Sequence, residues 1–251
     1  MKSFILLLIL NLFYPIIGYA QSMDYPGRET YRDVPIWETE QLSASFDEVT
    51  IIDVRSQYEF DTLHINNAIN IPLNSRNFAQ RVNEVKDPPR PIVFYCNGHT
   101  CFKSYKVYNK AHKAGISNIF SYDSGVFDWV KAYPEKTTLL GNTPVDLSKL
   151  IDKVQLENHL LEPEQFQATI TKKTVILDIR EPAQRGLIEL FPYRQENIAL
   201  DDKKKMSRFL DKIKKSGQPL VVYDESGKQV RWLQYYLVDK GITDYSFMKG
   251  G

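Results

Sequence analysis

The segment Ile51, Ile52, Asp53, Val54, Arg55, Ser56 returns almost residue for residue as Ile176, Leu177, Asp178, Ile179, Arg180, Glu181, at an offset of 125. Farther along, Ala114, Gly115, Ile116, Ser117 is echoed by Lys240, Gly241, Ile242, Thr243 at an offset of 126. Two echoes at nearly one period imply a chain built twice from one unit. Its 251 residues suit two domains of about a hundred residues each.

In each copy short β-rich runs alternate with helical stretches, the pattern of a parallel sheet covered by helices on both faces. Strands are predicted at 49–54, 69–71, 91–95 and 119–122, and again at 175–179, 198–200, 220–223 and 245–247. A helix is predicted over 102–114, with Tyr105, Tyr108, Ala111 and His112 on one face. Its counterpart presents Val230, Leu233, Tyr236 and Leu237.

Pro134, Gly141, Asn142, Pro144 and three threonines mark the exit from the first unit. Residues 145–161 are expected to form a helix between the units. The second copy stops at Gly250 and Gly251, where the first continues as Val126, Phe127, Asp128, Trp129, Val130. It is therefore expected to lack a last helix, with its sheet covered by the linker or by the first unit. The boundaries on this reading are 1–20 for a signal segment, 21–134, a linker at 135–161, and 162–251.

Residues 1–20 carry one positive charge, Lys2, then an apolar run over 4–12 and the small residues Gly18 and Ala20. That is the layout of a cleaved secretory signal, an uncleaved anchor being the alternative. The formal net charge of +1 falls to zero once Lys2 is removed. Such a balance argues against nucleic acid or an anionic membrane surface as the main partner.

Cys96 directly follows the apolar run Pro91, Ile92, Val93, Phe94, Tyr95 and shortly precedes the predicted helix. A strand that ends at a cysteine and turns into a helix aims the sulfur at backbone N–H groups and a positive dipole end, which favours thiolate. The chain has two cysteines, Cys96 and Cys101, on this one loop. In an exported chain an even pair suggests a disulfide, yet a bridge across so short a loop does little to hold two domains together, so the pair looks chemical. No metal is predicted, because two thiols and His99 are an incomplete ligand set.

Three stretches carry a resemblance. The first is Asp53, Val54, Arg55, followed by Tyr58, Glu59, Phe60 and by His64, Ile65, Asn66, Asn67, Ala68, Ile69, Asn70, Ile71, Pro72. The second is Tyr95, Cys96, Asn97, Gly98, with Ser104 and the helix to Gly115. The third is Tyr122, Asp123, Ser124, Gly125 with Trp129. The chain resembles a tandem rhodanese-like protein of the sulfurtransferase superfamily, specifically over 36–134 and more faintly over 162–251.

The resemblance implies an α/β fold of two rhodanese-like domains, each a parallel sheet covered by helices on both faces, the second degenerate and truncated. It implies Cys96 as the nucleophile that takes sulfane sulfur from a donor such as thiosulfate or a persulfide and passes it to a thiol, a cyanide-like acceptor or a protein. The N–H groups of Asn97, Gly98, His99, Thr100, Phe102, Lys103 and Ser104 would form the cradle. Asp53, Arg55 and His64 take structural roles, and no cofactor is implied. The protein would be secreted, most naturally into a periplasm, with no nucleic acid partner and no membrane contact once the signal is removed.

Two features depart from the family pattern. Eight positions separate Cys96 from Ser104, whereas six separate Asp224 from the corresponding Val230, so the first loop is two residues longer than usual and its donor need not be thiosulfate. Cys101 is placed to attack a Cys96 persulfide, releasing the outer sulfur and leaving a disulfide; the alternatives are a thiol that never meets the first, or a resting disulfide. In the second copy Asp224 stands at the cysteine position. A carboxylate cannot carry sulfane sulfur, so that loop is expected to be inactive.

Among the side residues, His99 is either a cation stabilising the Cys96 thiolate or a solvated loop residue. Asp128 reads as a helix cap. Besides sulfur transfer, the sequence leaves open a thiol redox protein cycling Cys96 and Cys101, and a binding module in which Cys96 is incidental. A phosphatase or arsenate reductase fits worst, since the sixth position after Cys96 is Phe102 and the loop has no arginine.

Overall fold

The computed structural model describes residues 25–186 and 189–251; the expected signal segment, 1–20, lies outside them. The first half contains strands β1 (Thr50–Asp53), β2 (Leu63–Ile65), β3 (Ile69–Asn70), β4 (Ile92–Tyr95), β5 (Ile119–Tyr122) and β6 (Thr137–Leu139). Its helices are α1 (Pro26–Thr30), α2 (Thr39–Ala44), α3 (Gln57–Thr62), α4 (Phe78–Val85), α5 (Lys103–Lys113) and α6 (Gly125–Ala132). The second half contains β7 (Leu160–Leu161), β8 (Val175–Asp178), β9 (Gln195–Asn197), β10 (Leu220–Tyr223) and β11 (Tyr245–Met248). Its helices are α7 (Lys153–Glu157), α8 (Pro163–Ala168), α9 (Pro182–Arg185), α10 (Lys203–Ser216) and α11 (Val230–Asp239).

The first sheet has the parallel order β3-β1-β4-β5, and the second has the parallel order β9-β8-β10-β11-β7, the same arrangement with one added edge strand. Every residue of β4 and of β10 is buried, as expected for central strands covered on both faces. Leu42 of α2 and Trp129 of α6 pack with Ile51, Val93 and Tyr122 on one face. Phe78 of α4 and Val107 of α5 pack with Ile52 and Phe94 on the other. The first of these cores runs on into the second half, where Leu177, Val222, Phe209 and Leu233 join it. Register places Asp53, Tyr95 and Tyr122 abreast at the strands' carboxyl ends, so the loops that follow, including the one opened by Cys96, share one edge of the sheet. That edge is where open α/β sheets bind ligands.

Three expectations are corrected. The strand predicted at 198–200 lies at Gln195–Asn197, pairing with β8; Ile198 and Leu200 are buried beyond it, so their apolar character reports the core rather than the ladder. Residues 145–161 form no single helix. Asp146 and Asp152 accept from the N–H groups of Ser148 and Gln155, starting a short 3₁₀ turn, Leu147–Lys149, and then α7 separately. The stretch read as a linker is also divided between the halves: β6 pairs antiparallel with β2, whereas β7 covers the β11 edge. Phe166 of α8, with Ile170 and Phe191, covers the second face of the second sheet.

Candidate active site

Cys96 is the first residue after β4 and is fully buried. Its Sγ is paired with that of Cys101 across a Cα separation of 6.4 Å. The sulfur lies 3.2 Å from the Cys101 carbonyl oxygen and 4.0 Å from the Oγ of buried Ser104, in the first turn of α5. Cys101 is partly exposed.

The loop is fastened from both sides. The N–H groups of Val126 and Phe127, at the start of α6, donate to the carbonyls of Cys96 and Asn97 at 3.0 and 3.4 Å. This requires Gly125: its φ is +66°, and a Cβ there would fall 2.6 Å from the Cys96 oxygen and against the Gly98 nitrogen. On the other side Asn97 donates to Glu59 Oε1 at 3.1 Å and accepts from Arg55 Nη1 at 3.1 Å. Arg55 is wholly buried, paired with Asp53, and donates to the Leu63 carbonyl at 2.5 Å. Its guanidinium lies 5.6 Å from the Tyr95 ring and 5.3 Å from that of Trp232, a residue of the second half.

Glu59 also caps α3 reciprocally with Ser56 and meets Lys103 Nζ at 3.5 Å. Burial works against its charge, but Lys103, Arg55 and the bonds from Ser56 and Asn97 outweigh burial and hold its pKa below the usual value. The neighbouring Glu181 and Asp201 are pushed up by burial and by nearby carboxylates. With Arg55, Ser56, Glu59 and Lys103 they line a cleft of about 660 Å³ between the halves.

The other predicted residues have these places. His99 Nε2 donates to Asp128 Oδ2 at 2.6 Å and its ring stacks on Tyr25 at 4.2 Å, so nitrogen and ring face are both engaged by these partners. Asp128 is correspondingly no cap: α6 starts at Gly125, and Asp128 faces His99 from its first turn. Cys101 N–H donates to the Gly98 carbonyl at 2.7 Å, closing a turn, and Thr100 is exposed. Phe102 leads into α5 beside Tyr31, their rings 6.2 Å apart. His64 stacks on Phe60 and its Nδ1 lies 2.7 Å from the Phe60 carbonyl. Burial lowers the His64 pKa.

The corresponding loop of the second half holds a different chemistry in the same frame. Asp178 and Arg180 repeat the buried pair, and Gly251, at φ +95°, approaches the Asp224 oxygen as Gly125 approaches that of Cys96. The Asp224 carboxylate is turned inward and accepts the N–H groups of Ser226 at 2.9 Å, of Gln229 at 2.5 Å and of Gly227.

The parts that sequence reasoning missed are side-chain roles. Ser56 and Glu59 carry the spacing of a capping box, a visible signal. Nothing local marks Asn97 as the bridge between Glu59 and Arg55, or Trp232 as the face beneath Arg55.

Residues 38–132, which include the whole Cys96 loop, match the model of the rhodanese-like domain. An HTH-type transcriptional regulator of Mycobacterium tuberculosis is 37% identical over 82 residues, covering 33% of this chain and 34% of the regulator. The chain thus spans about a third of that relative's length. The uncharacterised protein YqhL of Bacillus subtilis is 31% identical over 90 residues, covering 36% of this chain and 68% of YqhL. A crystal structure of a thiosulfate sulfurtransferase from Pseudomonas aeruginosa aligns over 91% of this chain and 46% of its own, with 19% identity and a TM-score of 0.39. By the match over 38–132, this part of the chain is a rhodanese-like domain.

Proposed function

We propose that this chain is an exported, tandem rhodanese-like sulfurtransferase, with Cys96 as its sulfur carrier and the Asp224 half as a catalytically silent partner. The reduced Cys96 thiolate attacks the sulfane sulfur of a donor such as thiosulfate and becomes a persulfide, with sulfite leaving. Cys101, as thiolate, then attacks Cys96 Sγ; the bond to the outer sulfur breaks with its electron pair, and that sulfur leaves as hydrosulfide after taking a proton. The product is the Cys96–Cys101 disulfide, and a thiol reductant must reset it. Direct passage of the outer sulfur to an acceptor thiol or a cyanide-like nucleophile is the route that spares Cys101.

The observation that carries this reading is the pairing of the chain's two cysteines on one loop at the carboxyl end of β4. Intact mass of the reduced protein after exposure to thiosulfate or a polysulfide tests it. A gain of one sulfur that Cys96→Ser abolishes is expected, with decay to the disulfide in the parent protein and persistence in Cys101→Ser. No gain from any donor sinks sulfur carriage. The disulfide itself favours one second reading, a thiol redox protein that needs no sulfur donor; reversible oxidation without sulfur gain is its signature.

A further inference from the structure

Residues 25–31, which precede the rhodanese-like span, touch the Cys96 loop and both elements that flank it. The Tyr25 ring stacks on His99 at 4.2 Å, and its hydroxyl lies 3.0 Å from Ser124 Oγ in the turn between β5 and α6. Tyr31 packs on Phe102 and on Tyr105 of α5, with ring separations of 6.2 and 5.2 Å. Between them, buried Gly27 sits so close to the Tyr105 ring that a Cβ would fall 2.2 Å from Cε2. The anchor is Arg28. Its Nε and Nη2 donate to the two Asp123 carboxylate oxygens at 2.8 and 3.0 Å, and its guanidinium covers the Tyr25 ring at 4.2 Å. Asp123 is wholly buried and also accepts the Tyr105 hydroxyl at 2.5 Å; among the described residues Arg28 is its one ion-pair partner. A buried carboxylate without its cation is costly, so this pair holds the segment down. Asp123 opens the turn into α6, whose first N–H groups hold the Cys96 and Asn97 carbonyls.

We propose that residues 25–31 form a strap that positions Cys101 against Cys96, with Arg28 and Tyr25 as its positioning residues. The inference rests on the reading of Cys96 and Cys101 as a working pair. Cys101 is bracketed by the strap's two loop contacts: His99, two residues before it, stacks on Tyr25, and Phe102, the residue after it, lies beside Tyr31. Its own N–H bond, to the Gly98 carbonyl, stays within the loop, whereas the strap ties that loop to α5 and to the end of β5. Contacts that confine the loop to conformations with the two sulfurs adjacent raise the effective concentration of Cys101 at Cys96. The strap thereby selects between the two routes open to the outer sulfur. With the strap seated, the Cys101 thiolate attacks Cys96 Sγ of the persulfide; the bond to the outer sulfur breaks, and that sulfur leaves as hydrosulfide after taking a proton. With the strap unseated, an external thiolate attacks the outer sulfur instead, and the electron pair of the broken bond stays on Cys96 Sγ.

The test needs no sulfur donor. The full chain is equilibrated with reduced and oxidised dithiothreitol at several ratios, so that the two cysteine thiols give two electrons and two protons to the reagent's disulfide, and the closed fraction is read by intact mass after alkylation. Tyr25→Ala should lower the equilibrium constant for closing the pair about tenfold, or about 30 mV. Arg28→Gln should lower it at least as far, while Glu29→Gln, at an exposed position of the strap, keeps the parent value. An unchanged constant in Tyr25→Ala, or a pair that closes at no ratio in the parent protein, overturns the proposal. So does a loss of stability in urea with the constant unmoved, since the strap is then structural only. Tyr25 is partly exposed and carries no charge, so its variant decides even where Arg28→Gln fails to fold. Failure of sulfur gain on Cys96 with the shift intact sinks sulfur carriage alone, and sulfur gain without the shift sinks the strap alone.

Discussion

The loops after β4 and β10 start from one backbone frame and end in opposite states. Each is pressed by a positive-φ glycine, Gly125 or Gly251, against the first peptides of the loop. In the second, the Asp224 carboxylate takes three backbone N–H groups, so the anion that the loop's donors would hold is part of the chain. In the first, a sulfur stands at that position, the loop is two residues longer, and its bond is to a second sulfur that chemistry can break. The second loop is thus held by the chain's own carboxylate, whereas the first has its sulfur paired within the loop.

The comparison breaks most sharply at Asp224. Asp224→Ala leaves three part-buried amide donors unpaired and should cost about 3 kcal/mol in urea unfolding; a loss under about 1 kcal/mol would show that the carboxylate is not what holds this loop. Reducing the Cys96–Cys101 bridge should cost less, about 2 kcal/mol from loop entropy alone, measured as the midpoint shift with and without reductant. If reduction costs more than Asp224→Ala, the first loop is the structural one and the contrast is reversed.

Glu59 sharpens the comparison with a pH dependence. Its folded pKa is depressed, so its contribution is complete above its ordinary value of about 4.5 and is lost as pH falls through the lower, folded value. Glu59→Gln should cost about 1 kcal/mol at neutral pH and less in acid, seen by unfolding at several pH values. A cost independent of pH would remove the charge from the account. The smallest effect belongs to His99→Gln. The His99–Asp128 pair is about a third exposed and screened, so a few tenths of a kcal/mol are expected, with the alkylation pH profile of reduced Cys96 unmoved. A shifted profile would return His99 to the thiolate.

Legibility followed the range of the interaction. The strands at 119–122 and 220–223 were predicted at the residues where they occur, because a short apolar run between turn residues is local information. Residues 198–200 misled, because burial against the core and pairing in a ladder select the same side chains. Local sequence leaves His99 between a thiolate-stabilising cation and a solvated loop residue, and neither reading locates its partner, which comes from α6.

What the sequence by itself determined is the repeated α/β alternation, the sulfur at the end of a buried strand, and the carboxylate that replaces it in the copy. These depend on residue type and short spacing, which persist whatever the chain does elsewhere. Only the tertiary structure decided that Arg55 lies between Tyr95 and Trp232 while holding Asn97, that Asp224 turns inward onto its own loop, and that the two halves share one core. Those outcomes depend on where distant side chains arrive once both sheets are formed, and on the cost of leaving a buried donor or charge without a partner.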